Sequence, residues 1–306
     1  MTEQILTEED SSERNEDSRD PYVSIIVPAY NEAAAIEADL EAIIEAMQSS
    51  GYEYEIIVVD DGSTDGTGDL AEAMGVQVLR HLRNKGVGSA RTKGVKAARG
   101  EIIVMTDADN TYPNEDIPKL LAKIDEGYDL VIGARTKEAG TVRWLRKSVK
   151  TVIRKLAEYI VSERIEDLNS GLRAMRRDIV MRYLNITPEG HSWVGTTTMA
   201  FLSEKRDVAF IPIDYKPRTG KSTFHPIADT YGYMMFIIKT VMYFKPLKVF
   251  VPISLLFLAL GVFKGLYDSL VLRDFKESEI VLLLTGVIIG VLGLLADLVV
   301  KLHKKP

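Results

Sequence analysis

Apolar and polar positions fall into blocks from Tyr22 onward. "VSIIVP" (23–28), "YEIIVV" (54–59), "VQVLR" (76–80), "EIIVM" (101–105) and "YDLVIG" (128–133) each predict a β-strand. The first, second and fourth are almost unbroken apolar runs, as in strands covered on both faces. Between them, 32–49, 65–74, 87–98 and 114–126 carry helical spacing, and Pro113 before Asn114 is a start signal for the last. Strands alternating with helices predict a mostly parallel sheet with crossover connections, helices on both faces and ligands beyond the carboxyl ends of the strands. "PAYNE", "DDGSTDGT" and "DADNTYP" all fall at such ends. Further on, "DVAFIPI" (207–213) predicts another strand. Residues 143–161 predict an amphipathic helix with a basic face, and 230–244 a membrane-skimming or core helix.

Two long apolar stretches close the chain. Residues 249–267 carry one charge, Lys264, and residues 280–300 carry one, Asp297. Each is long enough for a hydrocarbon core, which takes about 20 residues. A buried hairpin of a soluble domain is the alternative. Lys239, Lys245 and Lys248 precede the first stretch and Lys301, Lys304 and Lys305 follow the second, against Arg273 and Lys276 in the short connection. The positive-inside bias predicts a multi-pass protein of the cell membrane with both ends, and the large domain, in the cytoplasm. The expected layout is an acidic disordered tail at 1–20, a catalytic domain at 21–228, a juxtamembrane segment at 229–248, and two membrane helices with a basic tail at 249–306.

Charge adds little beyond this. The formal net charge is −6, and the first twenty residues, with eight acidic and two basic side chains, account for all of it. No basic excess points to nucleic acid. There are no cysteines, which excludes disulfides and thiolate metal sites.

Asp107 and Asp109, two positions apart after a strand, can aim carboxylate oxygens at one point. Hard divalent cations such as Mg2+ or Mn2+ favour that environment and often share substrate phosphates. A turn that caps the following helix is the competing reading. Asp60 and Asp61 end another strand, where one carboxylate could accept hydrogen bonds from a nucleobase or ribose; Asp65 is the better candidate for helix capping. The backbone of "PAYNE" and Glu32 could line the same crevice. "NKGVGSARTKG" (84–94) is glycine-rich and basic, a weak signal for phosphate contact because it is not a Walker loop.

Taken together, "PAYNE", "VVDDGSTDGT", "NKGVGSARTKGVKAARGEIIVMTDADNTYP" and "LVIGAR" resemble, in order and spacing, the family-2 glycosyltransferases with a GT-A fold. "DLNSGLRAMRRDIV" (167–180) and "IPIDYKPRTGKS" (211–222) are similar to the dolichyl- or polyprenyl-phosphate sugar transferases within it, and the match runs from Tyr22 to Ser222. The terminal hairpin is similar to the anchor of many bacterial and archaeal members. The resemblance implies an α/β, Rossmann-like GT-A domain that moves a hexose from a nucleotide-diphosphate sugar, of GDP-mannose or UDP-glucose type, to a polyprenyl phosphate, with inversion. It implies that Pro28, Tyr30, Glu32, Asp60 and Asp61 surround the nucleotide. Asp107, Ala108 and Asp109 would face the diphosphate, with Asp107 and Asp109 on the metal. Arg135, Arg218 and Lys221 would hold phosphates, and Asp167 would orient the acceptor. Some members place glutamine where this chain has Thr111, so Thr111 is a candidate ligand that departs from the pattern.

Other readings stay open at this level. A processive synthase would carry Q-x-x-R-W, yet glutamine occurs only at Gln4, Gln48 and Gln77. Transfer to a lipid hydroxyl such as diacylglycerol would need a clear general base. A non-catalytic membrane scaffold would have no use for both aspartates. A membrane hairpin can also pack against copies of itself, so a homo-oligomer is compatible with the sequence.

Overall fold

The computed structural model describes residues 20–136, 154–155, 157–190, 192–216, 242–243, 245–272 and 277–303. The elements run β1 (Val23–Ala29), α1 (Ile36–Gln48), β2 (Tyr54–Asp60), α2 (Thr67–Ala73), β3 (Gln77–Arg80), α3 (Val87–Ala97) and β4 (Ile102–Met105). A 3-10 turn (Asn114–Asp116) then leads into α4 (Ile117–Asp125), β5 (Leu130–Arg135), β6 (Arg173–Arg176), α5 (Arg177–Met181), α6 (Trp193–Ser203) and β7 (Val208–Ile213). The last helices are α7 (Leu247–Tyr267) and α8 (Glu277–His303). The acidic tail, nearly all of the expected basic helix and most of 230–244 lie outside the described residues.

Seven strands form one sheet in the order β3-β2-β1-β4-β6-β5-β7. All neighbouring pairs are parallel except those of β6, which runs antiparallel to β4 and β5. The period-two pleat divides the core. Ile25 and Val27 of β1 pack with α1 and α4, whereas Ile26 packs with Ala90 and Val95 of α3 and Phe201 of α6. Both faces are covered, which is why every residue of β1 is buried. The expected strands at 23–28, 54–59, 76–80, 101–105, 128–133 and 207–213, and the helices expected between the first five, match these elements to within a few residues.

β6 is the strand that periodicity does not reveal. "RAMR" is four residues long, has no apolar run, and pairs Arg173 opposite Met105. Its insertion separates β4 from β5 and brings the preceding "DLNSG" loop against the end of β4.

α7 and α8 belong to helical stretches, Leu247–Val271 and Glu277–Leu302, long and apolar enough to cross a membrane. Gly261 meets Leu283, Gly286 meets Leu258, Gly290 meets Ser254 and Gly293 meets Phe250, so the helices run antiparallel with small residues at the seam. At the turn end, Lys264 donates to Asp268 Oδ2 and Glu279 Oε1, both at 2.6 Å, and Glu279 is fully buried.

Candidate active site

The sheet order reverses between β1 and β4, since β2 and β3 extend one way and β4 the other. That switch point is where a crevice opens beyond the strand ends. Pairing of Ala29 with Asp60 sets the "PAYNE" and "DDGST" loops side by side. Asn31, at φ 54°, donates its N–H to Ser63 Oγ and accepts from Thr64 N at 2.9 Å. Thr67 Oγ1 accepts from Glu32 N at 2.9 Å. Asp65 accepts from Ala33 N and from the hydroxyl and N–H of Thr67, so it serves the start of α2 and joins the loops. Burial opposes its charge, but these hydrogen bonds outweigh that and hold its proton affinity below the usual carboxylate range.

Pro28 is buried in β1, and Tyr30 stands 45% exposed at the rim. Asp60 accepts from Ser63 N at 2.8 Å, and a Cβ on Gly68 would lie 2.5 Å from its other oxygen. Asp61 points inward: its carboxylate meets His81 Nδ1 at 2.6 Å and accepts from Lys85 N and Gly86 N. Asp61 therefore braces the 84–86 loop.

Beyond β4, Asp107 accepts from Arg91 Nη2 at 2.7 Å. Arg91 comes from the buried face of α3 and is 4% exposed, while the Asp107 side chain keeps 30% exposure toward the crevice. Gly171 of the "DLNSG" loop lies on the other side, where a Cβ would stand 2.7 Å from Asp107 Oδ2. Its N–H donates to the Tyr112 hydroxyl at 2.7 Å, which holds the glycine in place. Ala108 is buried in the core, anchoring the loop between the two carboxylates. Asp109 Oδ1 accepts from the Thr111 hydroxyl at 2.5 Å, and Thr111 is fully buried. Asn110 bridges them at φ 55° and donates to Asp39 Oδ2 of α1 at 2.7 Å. Burial, with added repulsion from Asp109 and Asp107, pushes the Asp39 carboxyl up to about 7 despite its hydrogen bonds from Asn110 and Asn114.

Arg135, the last residue of β5, grips Asp167 with a two-pronged ion pair, Nε to Oδ2 at 2.7 Å and Nη2 to Oδ1 at 2.9 Å. Burial disfavours both charges, but the paired hydrogen bonds outweigh it, holding the Asp167 proton affinity low and that of Arg135 high. Tyr215 stacks edge-on to Tyr112 and beneath Arg135. The next residue, Lys216, donates its N–H to Thr111 O at 2.9 Å, bringing the chain that leads to Arg218 and Lys221 to the edge of the site. Arg218 and Lys221 themselves lie outside the described residues.

Several residues of this constellation carry no assigned role in the motif reading, although all but Asp39 fall within its motifs. Arg91, Asp39, Tyr112, Gly171 and Arg173 are the chief ones. Asp39 sits among Ile36, Leu40 and Ile43 on the buried stripe of α1, and an acid on such a stripe is a readable signal. Arg91, buried beside Ala90, Gly94 and Val95, is another. Arg173 is fully buried and donates to Ser170 O, Val194 O, Thr197 Oγ1 and Thr198 Oγ1. Burial first, then the charge of Arg91, pushes its guanidinium down to about 9. The glycines of "NKGVGSARTKG" are closely packed. Gly88 N and Ser89 N both donate to Glu189 O, and a Cβ on Gly88 would lie 2.2 Å from Pro188 O.

A crevice at the switch point of a sheet with this order, lined by carboxylates at the ends of β2 and β4, is the ligand-binding arrangement of open α/β sheets. The sequence profile of glycosyl transferase family 2 matches residues 24–184, and the chain belongs to that family. Residues 245–302 match the GtrB C-terminal hairpin. An undecaprenyl-phosphate 4-deoxy-4-formamido-L-arabinose transferase of Shewanella sediminis (strain HAW-EB3) is 35% identical over 169 residues, 53% of this chain and 50% of that protein. The chain thus spans about half the length of this curated relative. Among solved structures, glucosyl-3-phosphoglycerate synthase of Mycobacterium tuberculosis with Mn2+, uridine diphosphate and phosphoglyceric acid superposes at TM-score 0.57 and 22% identity. That match covers 72% of this chain and 78% of the other. A mycobacterial protein superposes at TM-score 0.58 and 22% identity, over 73% and 74%. These two likenesses establish the shared fold.

Proposed function

We propose that this protein is a membrane-anchored hexosyltransferase that moves a sugar from a nucleotide-diphosphate donor, of GDP-mannose or UDP-glucose type, to polyprenyl phosphate at the cytoplasmic membrane face, with inversion. The observation that carries this reading is the convergence of Asp107, Gly171 and the Asp167–Arg135 pair at one strand edge in a chain that ends in the hairpin. The name of the Shewanella relative supports a polyprenyl-phosphate acceptor.

In this reading Tyr30, Glu32 and Asp60 line the nucleotide, with Pro28 and Asp61 fixing their loops. Asp107 and Asp109 fit a divalent cation, Mg2+ or Mn2+. They are hard oxygen donors on a loop held by Arg91 and Thr111, and the described residues contain no cluster of three or more potential ligands. A metal there would therefore share the donor's diphosphate. When bound, such an ion neutralises charge on the departing diphosphate. Thr111 serves to orient Asp109. Arg135, aimed by Asp167, together with Arg218 and Lys221, holds phosphate oxygens.

The acceptor phosphate is already anionic near neutral pH. Its oxygen attacks the anomeric carbon, the carbon–oxygen bond to the diphosphate breaks, and the nucleoside diphosphate departs with the electron pair. No proton must first be removed, which fits a site whose Asp167 is committed to an arginine.

Full-length protein in vesicles containing polyprenyl phosphate, given a panel of labelled nucleotide sugars, should label that lipid. Asp107→Ala should abolish labelling while leaving membrane insertion intact. Label on diacylglycerol, or transfer by Asp107→Ala near the wild-type rate with added Mg2+ or Mn2+, would overturn the reading.

A further inference from the structure

The first turn of α7 is bolted to the catalytic domain. Lys248 Nζ donates to Tyr159 O at 2.9 Å and to Ser162 Oγ at 2.5 Å, and lies 5.5 Å from the centre of the Tyr159 ring. Tyr159 returns a hydrogen bond from its hydroxyl to Lys248 O at 3.3 Å. A lysine one turn into a membrane helix would ordinarily extend toward lipid phosphates, and the helix dipole disfavours a cation at this end. Here the ammonium instead turns back onto neutral oxygens of the exposed residues Tyr159 and Ser162. It also engages Ser162, held at φ 63°, a conformation L-residues seldom adopt.

The neighbouring Val249 packs on a small core of Ala157, Ile160, Val161, Ile165, Leu168 and Met199. Leu168 directly follows Asp167, the partner of Arg135. Val249 and Leu168, the chain neighbour of the ion-paired Asp167, therefore belong to one packed cluster.

We infer that Lys248, Tyr159, Ser162 and Val249 form a rigid mount that fixes the Asp167 loop relative to the bilayer, making them positioning residues for the lipid-borne acceptor. This rests on the proposed transfer to polyprenyl phosphate. A mount of this kind matters because a lipid phosphate is confined to one plane. Misplacing reacting groups by about 1 Å can cost on the order of a hundredfold in rate.

The test uses full-length protein in vesicles. Lys248→Ala should raise KM for membrane-embedded polyprenyl phosphate by about tenfold or more, an effect expected of lost positioning. KM for the nucleotide sugar should stay unchanged, as should kcat/KM with a short, water-soluble prenyl phosphate. Lys248→Arg, which keeps the charge and the donors, should restore most of the embedded-acceptor KM. Lys301→Ala, removing a lysine from the same end of the hairpin, should not mimic the loss. A second arm needs no substrate: amide exchange at 165–169 should accelerate in Lys248→Ala while β1 and β2 stay protected. Unchanged exchange, or equal losses with embedded and soluble acceptors, would overturn the mount. If the wild type labels no polyprenyl phosphate, the functional reading fails by itself, and the exchange arm still decides whether the junction exists.

Discussion

At Gly171 the side chain is a single hydrogen because Asp107 occupies the space. A methyl group there would stand 2.7 Å from Asp107 Oδ2 and 3.1 Å from the Tyr112 ring. Gly171→Ala should therefore push the carboxylate off its Arg91-held position. Transfer should fall by on the order of a hundredfold, the scale of a small misplacement at a reacting centre. The melting temperature should move little, because the flexible carboxylate yields and the sheet does not. Parallel activity and thermal-melting measurements separate these outcomes. Asp107 itself is legible in the sequence as half of a D-x-D after a strand. Gly171 is not, because it lies 64 positions away in a loop whose placement depends on β6.

At the scale of elements, α1 holds the metal-loop candidate from behind through Asp39. Its two carboxylate oxygens accept from Asn110 N and Asn114 Nδ2, at 2.7 and 2.9 Å. Burial raises its folded-state pKa to about 7 from 3.8, so the folded chain binds this proton more tightly than the unfolded chain does. The group therefore costs nothing below about pH 4, and its cost grows as the pH rises toward 7. Asp39→Asn, which cannot ionise, should gain stability relative to wild type between pH 5 and pH 8. Thermal melts at the two values would show it, and a constant difference would exclude this assignment. α3 shows the converse, a sequence signal whose meaning only packing reveals. Gly86 and Gly88 at its start admit the backbone of 188–190, and Gly88→Ala should destabilise the fold by about 1–3 kcal/mol, as overpacking does. Urea unfolding would measure that loss, since the neighbour is carbonyl oxygen and cannot rotate away.

Across the whole molecule, the described residues join the start of the hairpin to the large domain at Lys248 and Val249. The hairpin has its own polar lock near the turn, where Lys264 serves both Asp268 and Glu279. Removing the cation would leave the buried carboxylates of Asp268 and Glu279 without it, which disfavours the packed hairpin. Lys264→Met should therefore loosen the hairpin and increase its protease sensitivity in vesicles. The nucleotide binding proposed for the Asp107 loop, far away in sequence, should be unchanged.

The alternating elements, the membrane-length helices and the strand-end carboxylates are legible along the chain because they are local: a strand's pleat, a helix's period and a turn's composition are written in adjacent residues. Tertiary structure alone decided which distant groups meet. It inserted "RAMR" between β4 and β5, buried Arg173 and Arg91, turned Asp61 toward its own loop and set Lys248 on Tyr159. Those outcomes follow from packing across the sheet and at the hairpin base, where the partners lie tens of residues apart and no local pattern announces them. "DADNTYP" after β4 belongs to both: its aspartates are local, and the Arg91, Asp39 and Gly171 that hold the loop are not.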